Sequence, residues 1–282
     1  MNKSIRNIII FGGVTLGCGF LGSAINSLYQ PQDPMQSLGV LIWLISPLAA
    51  NLLLRWLGKE GWKDFGISPN LKSGWRWYLG AILITPLISL ILIGLGVLFG
   101  STVTAGFSTQ GLSAFLSLLG VGIMGNLVKN LFEEFAWRGY LTPRLEALHA
   151  NPFVSSIVTG VIWTSWHIPY YLYFLSQTAR QNQTSLSVPV LILLAFIMLP
   201  MEAFAYGELR LLSKSVWPGW LMHTLANAFS FTLVTGGFVV LSKNFSSILL
   251  SPGTEGVGYS ILMGLIGWAL HQYRMQTLTT AR

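Results

Sequence analysis

The sequence predicts an all-α polytopic membrane protein built as a bundle of about eight transmembrane helices. Of its 282 residues, 52% are hydrophobic and only 9% are charged, whereas a soluble domain has about 25% charged residues. The apolar residues also form runs of the roughly 20 residues that a helix needs to cross a hydrocarbon core. We therefore expect residues 1–282 to form a single membrane domain.

The apolar runs define eight candidate spans, of which the first two are glycine-rich or carry proline. They cover about 7–29, 35–57, 75–100, 112–141, 152–174, 187–210, 216–235 and 256–275. Residues 1–29 also have the basic start and apolar stretch of a signal peptide. No small-residue cleavage site follows them, so we expect the first span to be retained.

The basic residues sort by loop. With a cytoplasmic N-terminus, all but three of the 16 Lys and Arg residues fall on the inner side; Arg180 and Lys243 lie outside, and Lys129 lies within a span. Because cytoplasmic loops are enriched in Lys and Arg, we expect a multi-pass plasma-membrane protein with both termini cytoplasmic. The net charge of +7 forms no cluster that would predict nucleic acid as a partner, and the lipid bilayer is the expected partner instead.

Polar side chains within spans are costly there and indicate function. The fourth span carries an acidic pair and an arginine, and the fifth and seventh spans carry histidines. These candidate site residues are Glu133, Glu134, Arg138, His167, His223 and Asn227.

The spacing on the fourth span separates the two glutamates. Glu134 and Arg138 are four residues apart, so they share a helix face and are expected to pair. Glu133 is turned by about 100° from Glu134 and is expected to lack a full partner. A carboxylate of that kind in a low-dielectric cleft holds a proton more tightly than usual, as a general base or acid near neutral pH requires. The alternative is that Glu133 pairs with Lys129, also four residues away, and that the cluster only joins helices.

Three short motifs carry a family resemblance. "EEFAWRGYL" (133–141), "WTSWHIP" (163–169) and "HTLAN" (223–227) resemble, in order, the E-E-x-x-x-R, F-x-x-x-H and H-x-x-x-N motifs of the CPBP family of intramembrane proteases, which includes CAAX prenyl endopeptidases and bacteriocin-processing proteins. The resemblance covers about residues 112–235, which we expect to be the catalytic core. Trp163 stands where the family usually has Phe, at a position thought to pack and not to react.

The resemblance implies a role for each motif residue. Glu133 would activate a water with help from His167, and His223 and Asn227 would hold the oxyanion that forms when water attacks a peptide carbonyl. Glu134 and Arg138 would position the helix and tune Glu133. The substrate would be a membrane-associated or lipidated peptide or protein, with prenylated and unprenylated peptides both open.

For a protease of this family, the main open alternative is whether the site holds a metal ion. Glu133, His167 and His223 form a set of two histidines and one carboxylate of the kind that holds catalytic zinc. The sequence has no H-E-x-x-H helix, the usual local zinc signature, and we favour a metal-free site.

Helix length predicts the depth of the site. At 1.5 Å per residue, Glu133 lies roughly 12 Å from the inner end of a span that ends at residue 141, in the cytoplasmic half. His167, counted from residue 152, lies roughly 22 Å deep, so the fifth span must tilt, begin in the cytoplasm, or bend near Pro169 if the residues are to meet.

Two non-catalytic classes remain as alternatives. A membrane immunity or ligand-binding protein could use the same intramembrane charges, and so could a transporter. A transporter would more naturally show an internal repeat or paired broken helices, and the sequence shows neither.

Overall fold

The structure is a computed structural model that describes residues 2–184, 186–242 and 245–280. Within these residues the chain forms a helical bundle with one short antiparallel strand pair. The α-helices are α1 (Lys3–Tyr29), α2 (Leu38–Trp56), α3 (Leu71–Leu98), α4 (Ala105–Ala136), α5 (Thr142–Ala147), α6 (Pro152–Pro169), α7 (Gln177–Gln183), α8 (Val188–Ser213), α9 (Trp217–Ser230), α10 (Phe245–Leu250) and α11 (Val257–Thr280). The strands are β1 (Thr102–Val103) and β2 (Val240–Leu241).

A helix stands at each of the eight predicted spans, namely α1, α2, α3, α4, α6, α8, α9 and α11. The all-α polytopic membrane fold is therefore confirmed. Five helical segments in the described part are long and apolar enough to cross a membrane by length and composition: α1, α2, α3, α8, and the continuous stretch 105–147 that contains α4 and α5. The helices α6, α9 and α11 do not meet that criterion, and α9 has only 14 residues.

Local sequence explains where several helices begin. The side chains of Asn2, Ser37 and Asn151 each accept a hydrogen bond from a backbone N–H in the first turn of α1, α2 and α6. Such N-caps satisfy donors that the helix itself leaves free. Pro152 follows the last of these caps at a position where the missing N–H costs nothing.

Glycine lets two helix pairs approach closely. Gly22 of α1 and Gly39 of α2 face each other so tightly that a Cβ on either would collide with the backbone of the other. Gly160 of α6 lies equally close to the backbone of Pro200 in α8. These contacts hold α1 on α2 and α6 on α8, and α1 is thereby an integral part of the bundle.

One end of the bundle, which we name the ion-pair end, is joined by charges from the loop 57–70 and the ends of α2, α5 and α8. Asp64 accepts hydrogen bonds from Arg55 at 2.8 Å and from Arg144 at 3.2 Å, and its backbone carbonyl accepts one from Arg210 at 2.7 Å. Arg55 is fully buried. The loop that follows α2 thus locks helix ends together, in addition to carrying basic residues.

The opposite end, which we name the strand end, contains β1, β2 and the residues 30–37 and 251–256. The two strands pair with Thr102 opposite Leu241. Tyr171, just beyond α6, lies 3.4 Å from a carboxylate oxygen of Glu255. In the orientation predicted from the basic residues, the ion-pair end would be the cytoplasmic end and the strand end would lie outside. Lys243 and Arg282, which entered that distribution, lie outside the described residues.

The fourth span is longer than predicted, and this removes the tension over depth. After α4, a π-helical turn at Trp137–Leu141 leads directly into α5, so the helical stretch continues to Ala147 and does not end at residue 141. Counted from Ala147, Glu133 lies roughly 21 Å along the helix, which matches the roughly 22 Å predicted for His167. A bend at Pro169 is not needed, because α6 stays helical through that residue.

Candidate active site

The three motifs meet on the inner faces of α4, α6 and α9. Trp163, His167, His223 and Asn227 all line one cavity of about 560 Å³. Every lining residue of α4, from Val121 to Lys129, lies on the strand-end side of Glu133. The cavity therefore begins at the level of the motif residues and extends towards the strand end, where Met35 and Glu255 contribute to its wall.

Glu134, Arg138 and His223 form a buried ionic cluster. Arg138 donates a hydrogen bond to Oε1 of Glu134 at 3.0 Å, as the spacing predicted, and both side chains are fully buried. Nδ1 of His223 lies 2.8 Å from the same oxygen. Since an ionised carboxylate can only accept, this contact requires a proton on Nδ1 and leaves Nε2 as the free ring nitrogen.

The Arg138 guanidinium also lies between two aromatic rings. Its central carbon is 4.7 Å from the ring centroid of Trp163 and 4.4 Å from that of Tyr206. Such cation–π contacts stabilise a cation that is shielded from water. Arg138 thus ties α4 to α6 and α8 while neutralising Glu134.

Glu133 is fully buried and has two hydrogen-bond partners. Its Oε1 accepts from Nζ of Lys129 at 2.5 Å, and its Oε2 accepts from Nε1 of Trp163 at 2.9 Å. The expectation that Glu133 lacks a full partner is therefore wrong. Burying a carboxylate without a partner in a low-dielectric site costs too much free energy, so Glu133 is paired. The pairing with Lys129 is the one that the alternative reading predicted.

The side chains of His167 and Asn227 each form a hydrogen bond with a neighbouring residue. Nδ1 of His167 donates to the backbone carbonyl of Trp163 at 3.0 Å, because a carbonyl oxygen can only accept. The Asn227 amide donates to Oδ1 of Asn130 at 3.2 Å, and Asn130 is fully buried. An amide nitrogen carries two protons, so Asn227 keeps a second donor.

The residues of the zinc alternative do not fit a metal site in this arrangement. Among the described residues, no group of three or more His, Cys, Asp or Glu side chains is placed to hold a metal ion. Both oxygens of Glu133 are engaged by hydrogen-bond donors, and one of these is the Lys129 ammonium. A like charge at that distance opposes the binding of a metal cation.

The structure adds side chains that sequence reasoning did not assign. Trp163 and Asn130 form hydrogen bonds with the predicted residues Glu133 and Asn227, and the cavity wall also carries Glu202 and Glu255. Trp163 was noted as a departure from the motif, which was a usable signal, because an indole has an N–H that phenylalanine lacks. Nothing in the sequence brings Asn130 to Asn227, since they are 97 residues apart.

Glu255 lies in the loop between α10 and α11. Its burial raises the pKa of the carboxyl group to about 7, and the hydrogen bond from Tyr171 offsets this only in part. The far wall of the cavity therefore carries an acid that gains or loses a proton near neutral pH.

The fold and the site define a class: polytopic membrane proteins with carboxylates, imidazoles and amides gathered at one intramembrane cavity. Residues 112–229 match the model of the Rce1-like type II CAAX prenyl endopeptidase family, and the segment contains all three motifs. This part of the chain is therefore similar to the CAAX prenyl endopeptidase family. The chain is also 31% identical over 87 residues to "CAAX prenyl protease 2" of Methanococcus maripaludis. That alignment covers 31% of this chain and 31% of the archaeal protein.

Proposed function

We propose that the protein is an intramembrane endopeptidase that hydrolyses a peptide bond with a water activated by Glu133. The observation that carries this proposal is the cavity itself: His167, His223 and Asn227 line it together, and Glu133 lies directly behind Lys129 and Trp163. The similarity of residues 112–229 to the CAAX prenyl endopeptidase family agrees with hydrolysis. We keep the motif-bearing region, about residues 112–235, as the proposed catalytic core of a single membrane domain.

The base of the proposed reaction is Glu133. Its partner Lys129 has a side chain that is one third exposed to the cavity, so this ammonium can move away and admit a water to Oε1. The carboxylate then accepts a proton as the water oxygen attacks the peptide carbonyl, and it returns that proton to the leaving amine nitrogen as the C–N bond breaks. His167, on the neighbouring helix, faces the same water from the cavity wall.

The oxyanion is proposed to lie against His223 and Asn227. Asn227 has an amide proton left after its bond to Asn130, and His223 presents Nε2. For Nε2 to donate, the ring must carry a second proton, and the Glu134 carboxylate at Nδ1 is the counter-charge that the protonated ring would face. Preformed donors of this kind contribute a factor of roughly 10²–10³ each to turnover.

Glu134 and Arg138 are proposed to position the other groups. Glu134 contacts His223 directly, so its role includes holding that imidazole in addition to tuning Glu133. We propose no metal in the reaction, because Glu133 is engaged by an ammonium and an indole N–H in place of metal-ligating neighbours.

The proposed substrate is a membrane-associated or lipidated peptide or protein. The cavity wall is largely aromatic and aliphatic, with Trp43, Leu44, Tyr170 and Phe231 among its lining residues, which suits a peptide with apolar side chains or a lipid attached to it. We further propose a plasma-membrane protein with both termini inside. Cleavage is then proposed at the level of Glu133, roughly 21 Å along the helical stretch from its inner end, where the cavity that extends towards the strand end begins.

The test is peptide cleavage by the purified protein in detergent, with a library of prenylated and unprenylated peptides. Glu133→Gln is expected to abolish cleavage and to leave thermal stability close to that of the parent, since glutamine keeps the size but accepts no proton. Glu134→Gln is expected to cost less activity. A parent protein that cleaves no peptide, or a Glu133→Gln variant that retains full activity, would contradict the proposal and favour the ligand-binding or immunity alternative.

A separate experiment with chelators tests whether the reaction needs a metal. Strong chelators are expected to leave the rate unchanged. Loss of activity with a chelator, restored by zinc and accompanied by loss of one bound metal in His167→Ala, would show that Glu133, His167 and His223 are ligands.

A further inference from the structure

The two oxygens of Glu133 have partners of different character. Oε1 is bonded by Lys129, which belongs to the same helix, ends a flexible four-carbon stem and is partly exposed to the cavity. Oε2 is bonded by the indole of Trp163, which is only 3% exposed. The Lys129 ammonium can therefore move away from Oε1, whereas the buried Trp163 indole stays at Oε2.

Packing on several sides holds the Trp163 indole in place. Its ring centroid lies 5.4 Å from that of His223, 6.0 Å from that of Tyr206 and 6.2 Å from that of Trp137, and the Arg138 guanidinium lies over it. Its backbone carbonyl anchors His167. A ring with two side-chain torsions and close neighbours on each face holds its N–H at a defined point.

We propose that Trp163 is a positioning residue for Glu133, whose Oε2 it holds through the indole N–H so that Oε1 is the oxygen that meets water. The effect that we expect on kcat rests on the proposed function, in which Glu133 activates the water. Phenylalanine, the usual residue at this motif position, fills the space but has no donor. This chain therefore has one more hydrogen-bond donor to Glu133 than the motif requires.

The groups that face Glu133 determine what loss of the indole N–H would change. They are Lys129 on α4, His167 on α6 and His223 on α9, together with Glu134, the next residue of α4, and its partner Arg138 in the π-helical turn that follows. We expect all of them to stay in place when Trp163 becomes phenylalanine. A hydrogen bond to the ionised form of a carboxylate favours that form, so its loss makes Glu133 easier to protonate.

The experiment compares Trp163→Phe with Trp166→Phe. Trp166 lies one turn away on α6, is fully buried, and donates its indole N–H to the backbone carbonyl of Trp43 at 3.1 Å, so its variant also loses a buried indole donor but not one bonded to Glu133. A hydrogen bond to a charged group is worth about 1.5–3 kcal/mol, which corresponds to about tenfold or more in rate.

We therefore expect Trp163→Phe to lower kcat by about tenfold or more, to change KM by less than about twofold, and to move the acid limb of the pH profile to higher pH. Trp166→Phe is expected to leave the acid limb unmoved.

A second measurement needs no turnover. The infrared carboxylate band of Glu133, isolated by subtracting the spectrum of Glu133→Gln, is followed with pH in the parent and in Trp163→Phe. We expect a higher titration midpoint in the variant, and an equal midpoint would overturn the proposal. If Trp163→Phe fails to fold, replacement of Trp163 by 3-benzothienylalanine keeps the ring shape and removes only the N–H. If the titration midpoint of Glu133 is shifted in the variant but the parent cleaves no peptide, the proposed function is contradicted and the positioning of Glu133 by Trp163 is supported.

Discussion

Removal of the Arg138 charge is expected to destabilise the protein strongly. In Arg138→Met, Glu134 stays fully buried and keeps only His223 as a hydrogen-bond partner among the described residues, while its other oxygen, Oε2, already lacks one there. Removal of one partner from a buried ion pair costs about 3–5 kcal/mol. At roughly 2–4 °C per kcal/mol for a chain of this size, Tm should fall by on the order of 10 °C.

A double-mutant cycle separates the charge from the packing. Glu134→Gln removes the carboxylate, and the double variant Arg138→Met with Glu134→Gln has neither charge. Residues in one buried network show coupling energies of about 0.5–3 kcal/mol, so the double variant should be more stable than the sum of the two single changes predicts. Thermal unfolding in detergent, followed by tryptophan fluorescence, gives all four values.

The outcome that refutes this reasoning is equal Tm in Arg138→Met and the parent. Strict additivity in the cycle would also refute it, because it would show that the pair contributes nothing beyond its separate side chains. Arg76→Met is the control, since Arg76 is an exposed residue on α3 whose change should move Tm by little.

Three further predictions concern stability, the site and orientation. For the first, the pKa of Glu255 is raised to about 7 from 4.5, so it contributes stability below pH 4.5 that is lost as pH rises through about 7. This amounts to roughly 3 kcal/mol, and Tm measured against pH should therefore fall over that window in the parent and fall less in Glu255→Gln; parallel curves would contradict this. For the second, a Cβ at Gly219 would lie 3.2 Å from Oε2 of Glu134, so Gly219→Ala should lower turnover by displacing the carboxylate from His223. Gly207→Ala, where a Cβ meets nothing within 4 Å, should not, and equal rates for the two variants would count against the contact. For the third, in a Cys18→Ser background an impermeant thiol reagent added to intact cells should label Thr254→Cys but not Lys63→Cys, and the reverse pattern would invert the orientation.

The amino-acid sequence by itself determined the membrane class, the position of each long helix and the residues of the three motifs. These follow from local properties: apolar runs are required by the bilayer, and residues four apart share a helix face. The Glu134 and Arg138 pair was predictable for that reason. The resemblance implied that His167 and His223 belong to one site, and in the structure both line the same cavity.

Only the tertiary structure decided how the site residues are partnered. Spacing along α4 allowed Glu133 either to stand alone or to pair with Lys129, and the indole of Trp163 from another helix was visible only as an exception to a motif. The length of the fourth span was misjudged because a π-helical turn carries the helix past residue 141 without any break that composition reveals. The physical reason is common to these cases: a buried polar group must find a partner somewhere, but the sequence does not state which helix will supply it.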